Sequence, residues 1–81
     1  MGYTFKLKKN IFMYNHLLII SNEQKSYEAI IESAVTKEET MLIWLEDFNL
    51  PLDDVDAVKG EITKWFAAQN IKCIFYNGKG R

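Results

Sequence analysis

Ser21 to Val35 reads SNEQKSYEAIIESAV, and the element it forms sets the architecture of the whole chain. Ser21 and Gln24 have capping-box spacing, in which the hydroxyl accepts one end amide and the glutamine reaches back to another. Tyr27, Ile30, Ile31, Ala34 and Val35 then fall at i, i+3, i+4, i+7 and i+8, a single apolar stripe. Glu23, Lys25, Glu28 and Glu32 take the other side. This spacing predicts a first helix.

Upstream, Tyr3, Phe5 and Leu7 alternate with Thr4, Lys6 and Lys8, the period-two pattern of a strand with one wet face. The apolar run continues to Ile20, too far for one strand at about 3.3 Å per residue, so a turn must intervene. Lys9-Asn10 is the first choice and Asn15-His16 the second, because asparagine accepts the left-handed backbone of tight turns. A second strand from about Ile11 to Ile20, free of charged side chains, suits the centre of a sheet.

Downstream, TMLIWL at Thr40 to Leu45 lies between Glu38-Glu39 and Glu46-Asp47. Its short apolar run favours a buried strand, although Met41, Leu42, Leu45 and Phe48, capped by Thr36 and Glu39, also fit a helical face. Pro51 keeps helix from the residue before it, and Asp53 or Asp54 suits the positive end of a second helix. Val55, Val58, Ile62, Trp65 and Phe66 form that helix's apolar stripe, which ends near Gln69-Asn70. IKCIFY makes the last strand, and residues 77–81, with Gly78 and Gly80, read as a flexible tail. The expected order is β-β-α-β-α-β in a single domain over residues 1–81. Its class is α+β, a two-layer sandwich with two helices packed on one face of a small mixed sheet.

The totals fit a packed globule, since 48% of the 81 residues are hydrophobic. A core this small is expected to complete its burial by pairing with a copy of itself, as a homodimer. Cys73 is the one cysteine, which rules out an internal disulfide. No apolar run reaches the roughly 18–20 residues that span a bilayer, and the first residues lack the order of a signal peptide, so a cytoplasmic location is expected. The net charge of −1 hides an uneven distribution. Lys6, Lys8, Lys9, Lys72, Lys79 and Arg81 gather at the chain ends, and Glu38, Glu39, Glu46, Asp47, Asp53, Asp54 and Asp56 in the middle.

Catalytic signatures are lacking. His16 is the one histidine, so no relay or zinc site can be assembled from several. GKG at Gly78 to Gly80 lacks the spacing of a phosphate loop, and LDDVD lacks the glycine and distal glutamate of a calcium loop. Cys73 falls at an inward apolar position, where a thiol is ordinarily inert. Trp44, Trp65 and Phe66 read as core. The sequence therefore points away from an enzyme and implies no cofactor and no metal.

Two helices on one face leave the other open, and that face carries the functional expectation. With Tyr3, Phe5, Leu7, Ile11, Met13, Leu17, Ile19, Ile71, Cys73 and Phe75 as the inward sets, the outward side chains include Lys6, Lys8, Lys72, Tyr14 and Tyr76, with His16 as a further member. Lysines contact phosphates and tyrosines stack on unpaired bases, which is the chemistry of RNA binding. The same residues also read as ordinary strand side chains. The acidic set Glu46, Asp47, Asp53, Asp54 and Asp56 offers an alternative surface for a basic protein such as a nuclease toxin. Helix starts prefer acidic residues in any case. No motif identifies a family. The size and lysine bias suit small inhibitors, antitoxins, immunity proteins and phage counter-defence proteins. The expected function is a non-enzymatic RNA-binding or ribonucleoprotein-directed inhibitor. The alternative is a protein-only inhibitor that docks its acidic loop.

Overall fold

A computed structural model of the protein describes residues 2–34 and 39–78. The expectations placed on Val35, Thr36, Glu38, Lys79, Gly80 and Arg81 lie outside those residues. Five strands form one sheet in the order β1-β2-β3-β4-β5. They are β1 (Thr4–Phe12), β2 (Asn15–Ser21), β3 (Ser26–Ala34), β4 (Thr40–Trp44) and β5 (Lys72–Tyr76). The first four run antiparallel to their neighbours, and β5 joins β4 in parallel. Two short 3-10 segments, Leu45–Phe48 and Leu52–Asp54, lead into one helix, α1 (Val55–Ala67).

The expectation of two helices on a four-stranded sheet is therefore corrected. Ser21 to Val35 does not start a helix: Ser26–Ala34 is a strand. Tyr27 and Ile31 are buried while Glu28 is exposed, which is a period of two. The misreading has a physical cause. A separation of four residues keeps side chains on one face in a helix and in a strand alike, so Tyr27 and Ile31 satisfy both patterns. The polar residues ahead of them build a turn instead of a cap. Asn22 Oδ1 accepts the backbone N–H groups of Gln24 and Lys25 at 2.9 and 2.8 Å, and the Asn22 N–H donates to the Lys25 carbonyl. Ser21 and Ser26 share a hydroxyl–hydroxyl hydrogen bond of 2.8 Å across the hairpin.

The first hairpin also differs from expectation. Its turn lies at Met13–Tyr14, beyond Lys9-Asn10 and before Asn15-His16. Asn10 does adopt the left-handed backbone, with φ 56°, but it sits at an irregularity where the β1–β2 register shifts between Lys8 and Phe12. The phase of β2 is also the reverse of the expected one. His16, Leu18 and Ile20 are buried on the helix side, and Leu17 and Ile19 face away. Phe12 and Met13, expected within a covered central strand, are 68% and 69% exposed at the hairpin tip.

TMLIWL is a strand over Thr40–Trp44, and α1 and β5 fall where their patterns place them. One layer of the core is the inner face of the sheet, with Leu18, Ile20, Ile31, Met41 and Ile43 fully buried. The other is α1, which inserts Val58, Ile62 and Phe66. Trp65 rests against Phe5, with ring centroids 5.8 Å apart, and against Phe66 at 4.9 Å. The Asp54 side chain accepts no capping hydrogen bond from the backbone of α1. Its carboxylate instead accepts the Tyr3 hydroxyl at 2.8 Å, tying the start of the chain to the entry of the helix.

Candidate functional site

Alternation along each strand divides the sheet into two faces, and the register aligns the outer one into rows. One row is Lys6, Ile19 and Glu28, and the next is Lys8, Leu17 and Ile30. A third runs from Asn15 through Glu32 and Leu42 to Ile74. Trp44 pairs with Tyr76 at the far end of β4. None of Leu17, Ile19, Ile30, Leu42, Trp44, Ile74 and Tyr76 belongs to the core or packs against it. Among the described residues no helix crosses this face. Ile74 and Tyr76 remain 45% and 43% exposed, and the others shield one another only in part. A contiguous apolar set of this kind is what an interaction surface presents.

Trp44 and Tyr76 form its most ordered element, with ring centroids 5.0 Å apart and 20° between planes. Parallel pairing of β4 with β5 sets the two rings side by side, and stacking holds them in a flat wall. The sequence reading missed Trp44, Ile30, Leu42, Leu17 and Ile19 as members of this face. A period of two along Tyr27 to Glu32 sets Ile30 outward between Glu28 and Glu32, but the spacing there fits a helix equally and does not select that period.

Lys6, Lys8, Lys72 and Tyr76 are exposed, as expected, on the outer face. They do not converge. Lys6 and Lys8 stand on β1, and Lys72 and Tyr76 stand on β5, the opposite edge of the sheet. Four strand steps of about 4.8 Å set the two groups roughly 19 Å apart. Tyr14 lies in the hairpin turn, where its carbonyl accepts the Ser33 N–H at 2.8 Å and its ring is exposed.

His16 is not on the outer face. It is 4% exposed on the helix side, and its Nδ1 accepts the Asn10 N–H at 2.8 Å. Its Nε2 is buried, with no hydrogen-bond partner among the described residues. Burial, then the nearby Lys9 charge, hold the His16 pKa below its ordinary value, against a smaller opposing pull from Glu39.

The acidic set is partly engaged in the fold. Asp54 holds Tyr3, and the Glu46 carboxylate accepts the backbone N–H of Gly78, which fastens the chain beyond β5. Asp53 and Asp56 are exposed. The Cys73 thiol is pushed up to about 11 by burial, which leaves it protonated at neutral pH. A shallow groove of about 530 Å³ between β1 and α1 is lined by Tyr3, Phe5, Glu61, Lys64 and Trp65, with no convergence of nucleophile and base. Among the described residues no group of three or more histidine, cysteine, aspartate and glutamate side chains is placed to hold a metal ion, and no helix is long and apolar enough to cross a membrane. No family model, curated protein or solved structure matches the chain.

Proposed function

We propose that the chain is a non-enzymatic binding module that works in the cytoplasm as a homodimer and inhibits or regulates a protein target. The observation that carries this reading is the uncovered apolar face around the stacked Trp44 and Tyr76. The target docks on the β4–β5 half, where Leu42, Trp44, Ile74 and Tyr76 supply the buried centre of an interface and Lys72 its polar rim.

A protein target is favoured over RNA by the charges on the same face. Glu28 and Glu32 stand on the middle strand, where they repel a phosphate backbone crossing the sheet. The lysines of the two edges form no continuous track. The acidic loop is a weaker candidate surface, because Asp54 and Glu46 are already spent on Tyr3 and Gly78.

Affinity isolation from the source cells, with and without nuclease, tests the reading. A partner retained after nuclease and lost with Trp44→Glu/Ile74→Glu agrees with it. Retention abolished by nuclease and by Lys6→Glu/Lys8→Glu replaces it with the RNA reading. A partner lost only with Asp53→Lys/Asp56→Lys moves the site to the acidic loop.

A further inference from the structure

The β1–β3 half of the outer face has a charge pattern that fits a second copy of itself. Lys6 pairs in register with Ile19, and Ile19 with Glu28, so one row reads cation, apolar side chain, anion across three adjacent strands. Lys6 and Glu28 are both exposed, each one strand from the central Ile19. A two-fold axis lying along β2 exchanges the flanking strands and leaves the row in place. It would set Lys6 of one protomer against Glu28 of its partner, twice, with Ile19 against Ile19 on the axis. The following row, Lys8, Leu17 and Ile30, would place Leu17 against Leu17 in the same way.

We infer that two copies of this chain pack their outer β1–β3 faces together about an axis along β2, joined by reciprocal Lys6–Glu28 ion pairs around an Ile19–Leu17 centre. This rests on the reading of the chain as a homodimeric module and names the surface and pairing that make it one. Sheets packed face to face lie about 10 Å apart, a gap that an extended lysine and a glutamate span together. The usual rotation of about 30° between packed sheets displaces groups one strand from the axis by only about 3 Å, within the reach of a lysine. Other two-folds fit the charges less well. An axis across the strands would bring Lys6 onto Lys6, and one along β3 would bring Glu28 onto Glu28. The chosen axis leaves Trp44 and Tyr76 outside the dimer seam, so both copies keep the surface assigned to the target.

Sedimentation equilibrium on Lys6→Glu, Glu28→Lys, their equimolar mixture and the double variant tests this geometry. Each single variant carries two like-charge contacts across the seam, and its dimer dissociation constant should rise about tenfold or more at low salt. The double variant should return to within about threefold of the wild type. The equimolar mixture of the two singles should dimerise as well as the wild type, because each heterodimer contact then joins opposite charges. An intramolecular Lys6–Glu28 interaction would be repaired in the double variant but not by mixing. A wild-type dimer whose singles are unimpaired, or whose mixture shows no recovery, overturns this pairing and leaves the homodimer to another surface. A wild-type chain that stays monomeric at every concentration overturns the homodimer itself.

Discussion

The covered face of the sheet carries Leu18, Ile20, Ile31, Met41 and Ile43, and the uncovered face carries Leu17, Ile19, Ile30, Leu42 and Trp44. Along the three middle strands the two are nearly matched in apolar content. They differ in what surrounds those side chains. On the covered face α1 adds Val58, Ile62 and Phe66 and closes the layer. On the uncovered face Lys6, Lys8, Glu28, Glu32 and Lys72 are interspersed among the apolar groups. The lesson is that hydrophobicity alone did not decide which face became the core. Placement of charge did, because a helix laid over Glu28 and Glu32 would have to take carboxylates out of water.

Neighbours in the chain allow this contrast to be broken most sharply. Ile31 and Ile30 are adjacent and face opposite ways. Ile31→Glu should cost about 4 kcal/mol or more and leave little folded protein, as read by circular dichroism and urea unfolding. Ile30→Glu should stay within about 1–2 kcal/mol of the wild type. If the two variants unfold alike, the outer face contributes as much to the fold of the single chain as the core does. The next largest contrast sets Phe66→Ala, expected to cost about 3–5 kcal/mol, against Tyr76→Ala, expected to cost about 1 kcal/mol through the lost stack on Trp44. Denaturant midpoints measure both.

A smaller effect depends on pH. His16 titrates below its ordinary 6.5 in the folded protein because of burial and Lys9. As pH falls through 6.5 the unfolded chain takes up its proton first, so stability is full above that value and declines toward and through the folded pKa. His16→Asn retains an acceptor for the Asn10 N–H and does not titrate. Comparing urea midpoints at about pH 7.5 and about pH 5.5 should show a decline in the wild type that is shallower in the variant. The smallest effect belongs to Lys9 and Glu39, an exposed pair at 3.7 Å. Lys9→Ala should move stability by no more than about 0.5 kcal/mol and add no pH dependence beyond a slight rise in the His16 pKa.

Several single elements were legible, although the two-helix architecture built from them was not the observed one. Strict alternation marked Tyr3 to Lys8, the break at Pro51 and the stripe from Val55 to Phe66 marked α1, and IKCIFY marked β5 with Lys72, Ile74 and Tyr76 outward. Ser26–Ala34 was not legible by spacing, because Tyr27 and Ile31 suit either period and Ser21 suits a cap as well as a turn. The phase of β2 escaped because its two alternating sets, Leu17 with Ile19 and Leu18 with Ile20, are equally apolar, so composition does not select the inward one. Those two errors hid the candidate surface. The strand at β4 was read correctly, but Trp44 faces outward only because Met41 and Ile43 take the core side, and with Ile30 misplaced on a helix nothing suggested an apolar neighbour for it.

The parallel pairing of β4 with β5 has a consequence for assembly. Each of the first three strand pairings joins neighbours through a local connection, whereas β5 reaches β4 only after Leu45 to Ile71 have been threaded over the sheet. During synthesis the four-stranded meander can pair its backbone as it emerges, yet Leu18, Ile31 and Met41 stay wet until α1 arrives. Commitment to the native state therefore waits on residues 55–67, and a nascent chain halted before them would present two apolar faces to its surroundings instead of one.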